Sequence, residues 1–175
     1  MPKFTTISPT CQQGGKAEAW HRFRDGGYIA IGWCYENDLS EMTLTDALNL
    51  VPKDAAGERD KQDGLRSFPI FWELAKRGTA NAGDIVAVKN TNDGLFGIGV
   101  VRSGYRYDRQ KHPTGVLNHF YPHYLEVEWI WTEYIARSSI DFGGAKSWMP
   151  FGTFGNLEEE VPGYVQPYLE RHFAR

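Results

Sequence analysis

The segment 83–131 constrains the fold of this chain more than any other stretch. It contains three apolar runs rich in β-branched and aromatic residues, at 85–88, 95–101 and 125–131. Such runs predict strands, and Asp93-Gly94 between the first two predicts a hairpin. In the third run Glu126 and Glu128 alternate with apolar residues, which predicts a strand with one solvated face. We therefore expect three strands at the centre of a small, strongly curved sheet.

The remaining sequence predicts one further strand and three helices. We expect the strand at 28–33 and helices at 43–51, 68–77 and 165–173. Thr43 followed by Asp46 has the spacing of a capping box, and Ser67 is the expected N-cap of the second helix. Residues 52–64 are predicted to be an exposed loop, and residues 1–19 a flexible arm. This order of elements indicates the α+β class, with a small curved sheet or open barrel flanked by helices.

Length and composition favour one soluble domain over residues 20–175. The 175-residue chain is long enough to bury a core without staples, and its net charge of -3 argues against coating nucleic acid by bulk electrostatics. Cys11 and Cys34 allow at most one disulfide and favour free thiols in a reducing cytosol. There is no stretch of membrane-spanning length, so we expect a cytoplasmic protein without a membrane partner.

The chemistry of an enzyme is not visible in the sequence. We find no phosphate-binding loop, no serine elbow and no cysteine in a nucleophile setting. His119 and His123 have the spacing of helical metal ligands, but Pro122 lies between them, so surface or packing roles are favoured. We therefore expect no catalytic residue, no metal and no cofactor.

Aromatic residues interleaved with basic ones are the most distinctive chemical feature. One short stretch contains Tyr105, Arg106, Tyr107, Arg109 and Lys111. Rings that stack on bases, beside cations that contact phosphates, are typical of nucleic-acid binding. The alternative is a solvated hairpin edge with tyrosines at its rim.

Three further aromatic residues have two open interpretations each. Trp33 follows Gly32 at the end of the first strand, where its ring either projects from the sheet or belongs to the core. Trp148 and Phe151 lie in a glycine-rich segment and are either pocket walls or hydrophobic anchors of a loop.

Several short motifs together resemble a known family. They are residues 28–33 followed by Asp38-Leu39-Ser40, then 83–88, 97–101, 105–107 and 127–130. In this order and spacing they are similar to EVE/YTH-like domains of the PUA-like superfamily. Within it they resemble the N-terminal DNA-recognition domain of McrB-type modification-dependent restriction proteins. The resemblance covers roughly residues 20 to 157, and residues 34–37 depart from it where a Gly before Asp38 is expected.

The resemblance implies a curved, barrel-like sheet and a non-catalytic DNA reader. A methylated cytosine or adenine would be flipped out of the duplex into an aromatic cage, at a cost of a few kcal/mol. Any GTPase or nuclease activity of the restriction system would then reside in other domains or partner subunits. The implied base pocket consists of Trp33, Asp38, Leu39, Ser40, Trp148 and Phe151. The implied contacts to the nucleic-acid backbone are Tyr105, Arg106, Tyr107, Arg109 and Lys111.

Three alternatives remain open at this point. One is an RNA-binding PUA-like module that reads a modified RNA base, which a comparison of deoxy and ribo oligonucleotides would distinguish. Another is an enzyme that acts on a base in the same pocket, for which Asp38→Asn would abolish turnover rather than binding. The last is a protein-interaction domain in which all the aromatic residues belong to the core.

Overall fold

A computed structural model describes residues 2–9, 15–34, 36–76, 83–90, 93–108, 121–140, 153–155, 158 and 160–174. The strands in these ranges are β1 (Phe4–Ile7), β2 (Tyr28–Ile31), β3 (Ile85–Asn90), β4 (Gly94–Val101), β5 (Arg106–Tyr107), β6 (His123–Trp131) and β7 (Ile135–Ala136). The α-helices are α1 (Gly15–Gly26), α2 (Leu44–Asp54), α3 (Glu58–Lys76) and α4 (Gln166–Phe173).

The strands form one mixed, strongly curled sheet that resembles half of a barrel. Its order is β1-β3-β4-β6-β2, with β5 paired to β6 and β7 paired to β4. β1 runs parallel to β3, whereas the other pairs are antiparallel. Irregularities in register at Val88/Lys89 and Ile98/Gly99 add to the curvature. The predicted α+β class with a small curved sheet flanked by helices is confirmed.

Buried side chains lie on both sides of the sheet. On one side α1, α2 and α3 contribute Trp20, Ala47 and Phe71 to a large core. On the other side Ile85 and Ile98 pack in a smaller core, against which the half-buried Tyr168 and Leu169 of α4 pack. The sheet is therefore the middle of three layers.

Two glycines of β4 allow the close packing on the larger core. A Cβ added at Gly97 would overlap the Trp20 ring, and one added at Gly99 would overlap the side chains of Val127 and Trp129. The close approach expected at a glycine inside a strand therefore occurs at both positions.

The prediction of a flexible arm over residues 1–19 is wrong for β1. Phe4 and Ile7 are buried, and β1 pairs in register with Ile85–Val88 of β3. The sequence Phe-Thr-Thr-Ile is too short and too polar to signal a strand, because its order comes from pairing with a distant strand. Gly15 then begins α1, so the arm does not extend to residue 19 either.

The predicted loop over 52–64 is also wrong. α2 continues to Asp54 and α3 already begins at Glu58, so only a short turn separates the two helices. Ser67 is consequently not an N-cap but a buried residue inside α3, and its hydroxyl donates to Asp63 Oδ1 at 3.0 Å. The capping box at Thr43 and Asp46 is confirmed.

Candidate functional site

The loop between β2 and α2 carries the first group of predicted site residues. Ser40 donates from its backbone N–H and its hydroxyl to Asp38 Oδ1, at 2.9 and 2.7 Å. Partial burial raises the pKa of Asp38, but the hydrogen bonds from Ser40 lower it, and the net shift is downward. Asp38 and Ser40 are exposed, whereas Leu39 between them is buried. The loop therefore presents a charged acceptor and a hydroxyl to solvent.

Tyr105, from the second predicted group, holds this loop in place. The backbone N–H of Leu39 donates to Tyr105 Oη at 3.0 Å. The backbone N–H of Tyr105 in turn donates to the carbonyl of Ala75 near the end of α3, at 3.1 Å. The structure thus brings together two sequence regions, around 38–40 and 105–107, that were assigned different roles.

His123 completes this arrangement and was not predicted as a site residue. It lies at the start of β6 with no exposed surface, and its Nδ1 is 2.8 Å from Tyr105 Oη. Its Nε2 is 3.0 Å from the carbonyl oxygen of Cys34. Because a carbonyl only accepts, Nε2 carries the proton and Nδ1 accepts the Tyr105 hydroxyl. Burial lowers the pKa of His123 to about 4, so the ring is neutral at pH 7.

The sequence did contain a signal for this histidine. His123 shares the period of two with Leu125 and Val127, whose side chains are all buried. A strand prediction that began at residue 123 rather than 125 would have placed the imidazole on the inner face. His123 therefore has a packing position, whereas His119, the other histidine of that spacing, lies outside the described residues.

Cys34 gives the loop its unusual path. Its φ of 63° lies in the left-handed region, which residues other than glycine rarely adopt. Its buried thiol donates to the carbonyl of Ala47 at 3.5 Å, and its own carbonyl accepts from Asn37 N–H at 2.9 Å as well as from His123. This left-handed residue lies within residues 34–37, the segment that departs from the resemblance.

Lys76, the last residue of α3, fixes the other side of the loop. Its Nζ donates to the carbonyls of Leu39 and Ser40, at 2.9 and 2.6 Å. The same ammonium lies 4.8 Å from the ring centroid of Trp72 and 5.6 Å from that of Tyr105. Cations placed over rings at these distances are attracted to the π-face. We call the set Asp38, Leu39, Ser40, Lys76, Tyr105 and His123 the loop–tyrosine cluster.

The other predicted site residues are placed as follows. Trp33 is buried, with Nε1 3.4 Å from Asp60 Oδ1, and a Cβ at Gly64 would press on its ring at 3.1 Å. Arg106 is exposed, and the half-buried ring of Tyr107 lies 5.2 Å from that of His123. Trp148, Phe151, Arg109 and Lys111 lie outside the described residues.

Trp33 therefore supports the loop from the core and does not present its ring to solvent. Its ring packs between the loop and α3, in the same core as Leu39 and Val51. Among the described residues, no group of three or more His, Cys, Asp or Glu side chains is arranged to hold a metal ion. The described helices include none that is both long and apolar enough to cross a membrane.

Comparison with protein-family profiles assigns most of the chain to a family. The profile of a domain of unknown function, DUF8426, matches residues 7–149. The chain belongs to the DUF8426 family. No significant match was found among curated proteins. The matched region of this DUF8426 domain contains every residue of the loop–tyrosine cluster, together with β2 to β6.

Proposed function

We propose that this domain binds nucleic acid and reads a modified base at the loop–tyrosine cluster. The observation that carries the proposal is the hydrogen bond from Leu39 N–H to Tyr105 Oη, which joins the loop to the aromatic and basic stretch of β5. Hydrogen-bonding groups, rings and an exposed cation then occur at one end of the sheet. These are the chemical groups needed to hold an unstacked base and its neighbouring phosphates.

Each group has a distinct part in this proposal. The exposed Asp38 and Ser40 offer an acceptor and a donor to the edge of a base. The half-buried rings of Trp72 and Tyr107 supply apolar surface beside them, and the exposed Arg106 supplies a phosphate contact. Trp33, which the resemblance assigns to the pocket wall, instead supports the loop from inside the core.

The energetic requirements of base reading are modest. Extruding a base from a duplex costs a few kcal/mol, and stacking on aromatic side chains recovers about 1–3 kcal/mol per base. A methyl group buried between apolar surfaces adds about 0.8 kcal/mol of preference. A methyl contact of this size corresponds to about a fourfold preference for a methylated base over its unmodified form.

The curved α+β fold supports the more specific part of the proposal. It is compatible with the PUA-like, EVE/YTH-type architecture that the sequence motifs resemble. We accordingly propose that the domain is a non-catalytic specificity module of a modification-dependent restriction system of the McrB type. Its ligand would be DNA with a methylated cytosine or adenine, and cleavage would reside in other domains or partner subunits.

The test is fluorescence-anisotropy binding to short duplexes at fixed salt. The duplexes carry cytosine, 5-methylcytosine, N4-methylcytosine, adenine or N6-methyladenine at one position, with matched ribo oligonucleotides. We expect a preference of about fourfold or more for one modified deoxy duplex, equivalent to about 0.8 kcal/mol. A preference for a modified ribo oligonucleotide would favour the RNA-reading alternative. Equal, weak binding to every member would contradict base reading.

Three variants separate recognition of the base from recognition of the backbone. Asp38→Asn is expected to reduce the preference between modified and unmodified duplexes, because it changes the hydrogen-bonding groups offered to the base edge. Arg106→Ala is expected to weaken all duplexes alike and to flatten the salt dependence. Arg59→Ala, at an exposed arginine near the start of α3, is the matched control and should change neither property.

A further inference from the structure

His123 lies at the centre of a chain of hydrogen bonds that begins and ends in the loop between β2 and α2. From Nδ1 the chain passes through the Tyr105 hydroxyl to the backbone N–H of Leu39, at 2.8 and 3.0 Å. From Nε2 it passes at 3.0 Å to the carbonyl of Cys34, which also accepts from the backbone N–H of Asn37 at 2.9 Å. The chain therefore reaches the same loop from both nitrogens of one ring.

This closed arrangement fixes the backbone around Asp38. The N–H of Leu39 belongs to the peptide group that follows Asp38, and the N–H of Asn37 lies one residue before it. Both are held by one buried imidazole, the first through Tyr105 and the second through the carbonyl of Cys34. Because the conformations open to a side chain follow from its backbone, the direction of the Asp38 carboxylate depends on this arrangement.

The Tyr105 hydroxyl can complete the chain in only one direction. A hydroxyl has one hydrogen to donate, and its oxygen is needed here to accept from the N–H of Leu39. Its hydrogen therefore goes to His123 Nδ1, which must be unprotonated to accept it. The carbonyl of Cys34 enforces this tautomer, because it requires the proton to be on Nε2. The fold thus sets the direction of every hydrogen bond in the chain.

The surroundings of His123 keep the ring neutral at pH 7. The side chain has no exposed surface, and burial lowers its pKa to about 4. Burial outweighs the carbonyl of Cys34 and the negative charge of Asp38, both of which raise the pKa. The rings of Tyr105 and Tyr107 lie 5.8 and 5.2 Å from the imidazole, measured between ring centroids. The acceptor at Nδ1 is therefore available to the tyrosine hydroxyl.

We propose that His123 is a positioning residue for base reading, which acts on Asp38 through Tyr105. The inference rests on the proposed function, in which Asp38 offers its carboxylate to the edge of the base. His123 itself is buried, so it does not touch the base. It accepts the one hydrogen whose placement leaves the Tyr105 oxygen to Leu39, and it thereby holds Asp38 in place before the ligand arrives. Such preorganisation favours recognition, because binding then requires less ordering of the loop.

The first test observes the hydrogen bonds by NMR without any ligand. Nitrogen chemical shifts of His123 are expected to show the proton on Nε2 at pH 7. Tyr105→Phe should accelerate hydrogen exchange of the Leu39 amide about tenfold, because one hydrogen bond is lost. Tyr134→Phe, at a half-exposed tyrosine between β6 and β7, is the matched control and should leave that exchange unchanged. A proton on Nδ1, or unchanged exchange in Tyr105→Phe, would overturn the proposal.

Two amide substitutions separate the two hydrogen bonds of His123. An asparagine carries an oxygen bonded to Cγ, as Nδ1 is, and keeps an acceptor for Tyr105. A glutamine carries its nitrogen two bonds from Cγ, as Nε2 is, and keeps only the donor to Cys34. We expect His123→Asn to retain the preference for the modified duplex, and His123→Gln to reduce it from about fourfold to below about twofold. Equal preferences in the two folded variants would mean that His123 only fills the core, against the proposal.

Tyr105→Phe protects the binding test against a failure of either His123 variant to fold. It removes the hydroxyl alone and should lower the preference as far as His123→Gln does, while the affinity for an unmodified duplex changes less than about twofold. Because the tyrosine acts through Asp38, Asp38→Asn should lower the preference no further in the Tyr105→Phe background. Additive losses in the double variant would show that the two residues act separately, which contradicts the proposal.

The two measurements distinguish a failure of this inference from a failure of base reading. If the wild type prefers a modified duplex and Tyr105→Phe keeps that preference, base reading stands and the role of His123 is rejected. If the wild type prefers no oligonucleotide although exchange at Leu39 responds to Tyr105→Phe, base reading fails, and the role proposed for His123 fails with it.

Discussion

His123 and Lys89 are both buried basic side chains, yet they differ in charge at pH 7. Burial lowers the pKa of each, to about 4 for His123 and to about 8 for Lys89. At pH 7 the histidine is therefore neutral and the lysine still charged. The loop–tyrosine cluster therefore contains a buried base without a charge, whereas Lys89 of β3 is a buried base with a charge.

The neighbours of the two residues determine how the burial of each affects the stability of the fold. Both ring nitrogens of His123 have hydrogen-bond partners, Tyr105 and Cys34, and no counter-charge is needed. Lys89 instead keeps its charge among charges of both signs, those of Lys16, Arg66 and Asp63. The arrangement around His123 stabilises the folded chain, since buried polar groups with partners are inexpensive. The burial of a charged lysine makes the stability of the fold depend on high pH.

Removing His123 should have the largest effect on stability. His123→Ala leaves a cavity at a fully buried position and takes away the acceptor of the Tyr105 hydroxyl. We expect the free energy of unfolding to fall by about 3 kcal/mol, measured by urea denaturation at pH 7. His21→Ala, at an exposed histidine of α1, should change it by less than about 0.5 kcal/mol. A loss below about 1 kcal/mol for His123→Ala would mean that the cluster is not a structural unit.

Low pH should decrease the free energy of unfolding of the wild-type protein through His123. Burial lowers the pKa of His123 in the folded chain to about 4. Between pH 6.5 and 4, His123 is therefore protonated in the unfolded chain but neutral in the folded chain. Stability should therefore decrease as the pH falls, by about 1.4 kcal/mol per unit and about 3 kcal/mol in total. Denaturation midpoints across this range should show the slope in wild type and His21→Ala. An equal slope in His123→Ala would assign it to other groups.

High pH should increase the free energy of unfolding through the deprotonation of Lys89. Below pH 8 the folded chain carries the full cost of the buried ammonium, and above pH 8 the folded lysine loses its proton while the unfolded one keeps it. Stability should rise by about 2 kcal/mol between pH 8 and 10. Lys16, whose pKa burial also lowers, acts in the same direction. Above pH 10 Tyr28 and Tyr164 oppose the rise, because burial raises the pKa of each to about 12.

Denaturation midpoints of two lysine variants in this alkaline range test whether Lys89 causes the rise. Lys89→Met should lose most of it, and Lys61→Met, at a lysine of α3 that bridges to Glu58, should retain it. A rise that is identical in the wild type and both variants would show that Lys89 is not responsible for it.

The smallest expected effect on the free energy of unfolding is that of removing Lys76. Lys76→Met removes two hydrogen bonds to carbonyls and the contacts with two aromatic rings. We expect a loss of about 1 kcal/mol in the free energy of unfolding, since these groups are partly exposed. Lys53→Met, at an exposed lysine of α2, is the control. No loss at Lys76 would indicate that the loop keeps its position without this contact.

Much of the sheet follows from local patterns in the sequence. β3, β4 and β6 are encoded by apolar runs and turn residues, and α2 by its capping box at Thr43. β1 escaped prediction because its partner strand is some eighty residues away. The first half of α3 escaped because Gly57, Gly64 and many charges obscure a helix that packing stabilises. Gly64 is required there, since a Cβ would overlap Val51.

The candidate site could be predicted only in parts. The resemblance implied Asp38 and Ser40, and the aromatic and basic stretch indicated Tyr105 and Arg106. The two groups lie together in the structure only because residues far apart in sequence, such as Leu39 and Tyr105, are in contact. Trp33 illustrates the same limit, because nothing local distinguishes a projecting ring from one covered by a helix. Such distinctions belong to the tertiary structure.

The edge strand β1 has a consequence for the order in which the chain assembles. Besides its pairing with β3, Phe4 exchanges backbone hydrogen bonds with Glu158, and Ile7 bridges to Phe154. The hydroxyl of Thr5 reaches the carbonyl of Gly155, 150 residues away. During synthesis β1 is therefore made long before residues 154–158, which cover its outer edge. Contacts of such long range slow folding and leave a strand edge exposed meanwhile.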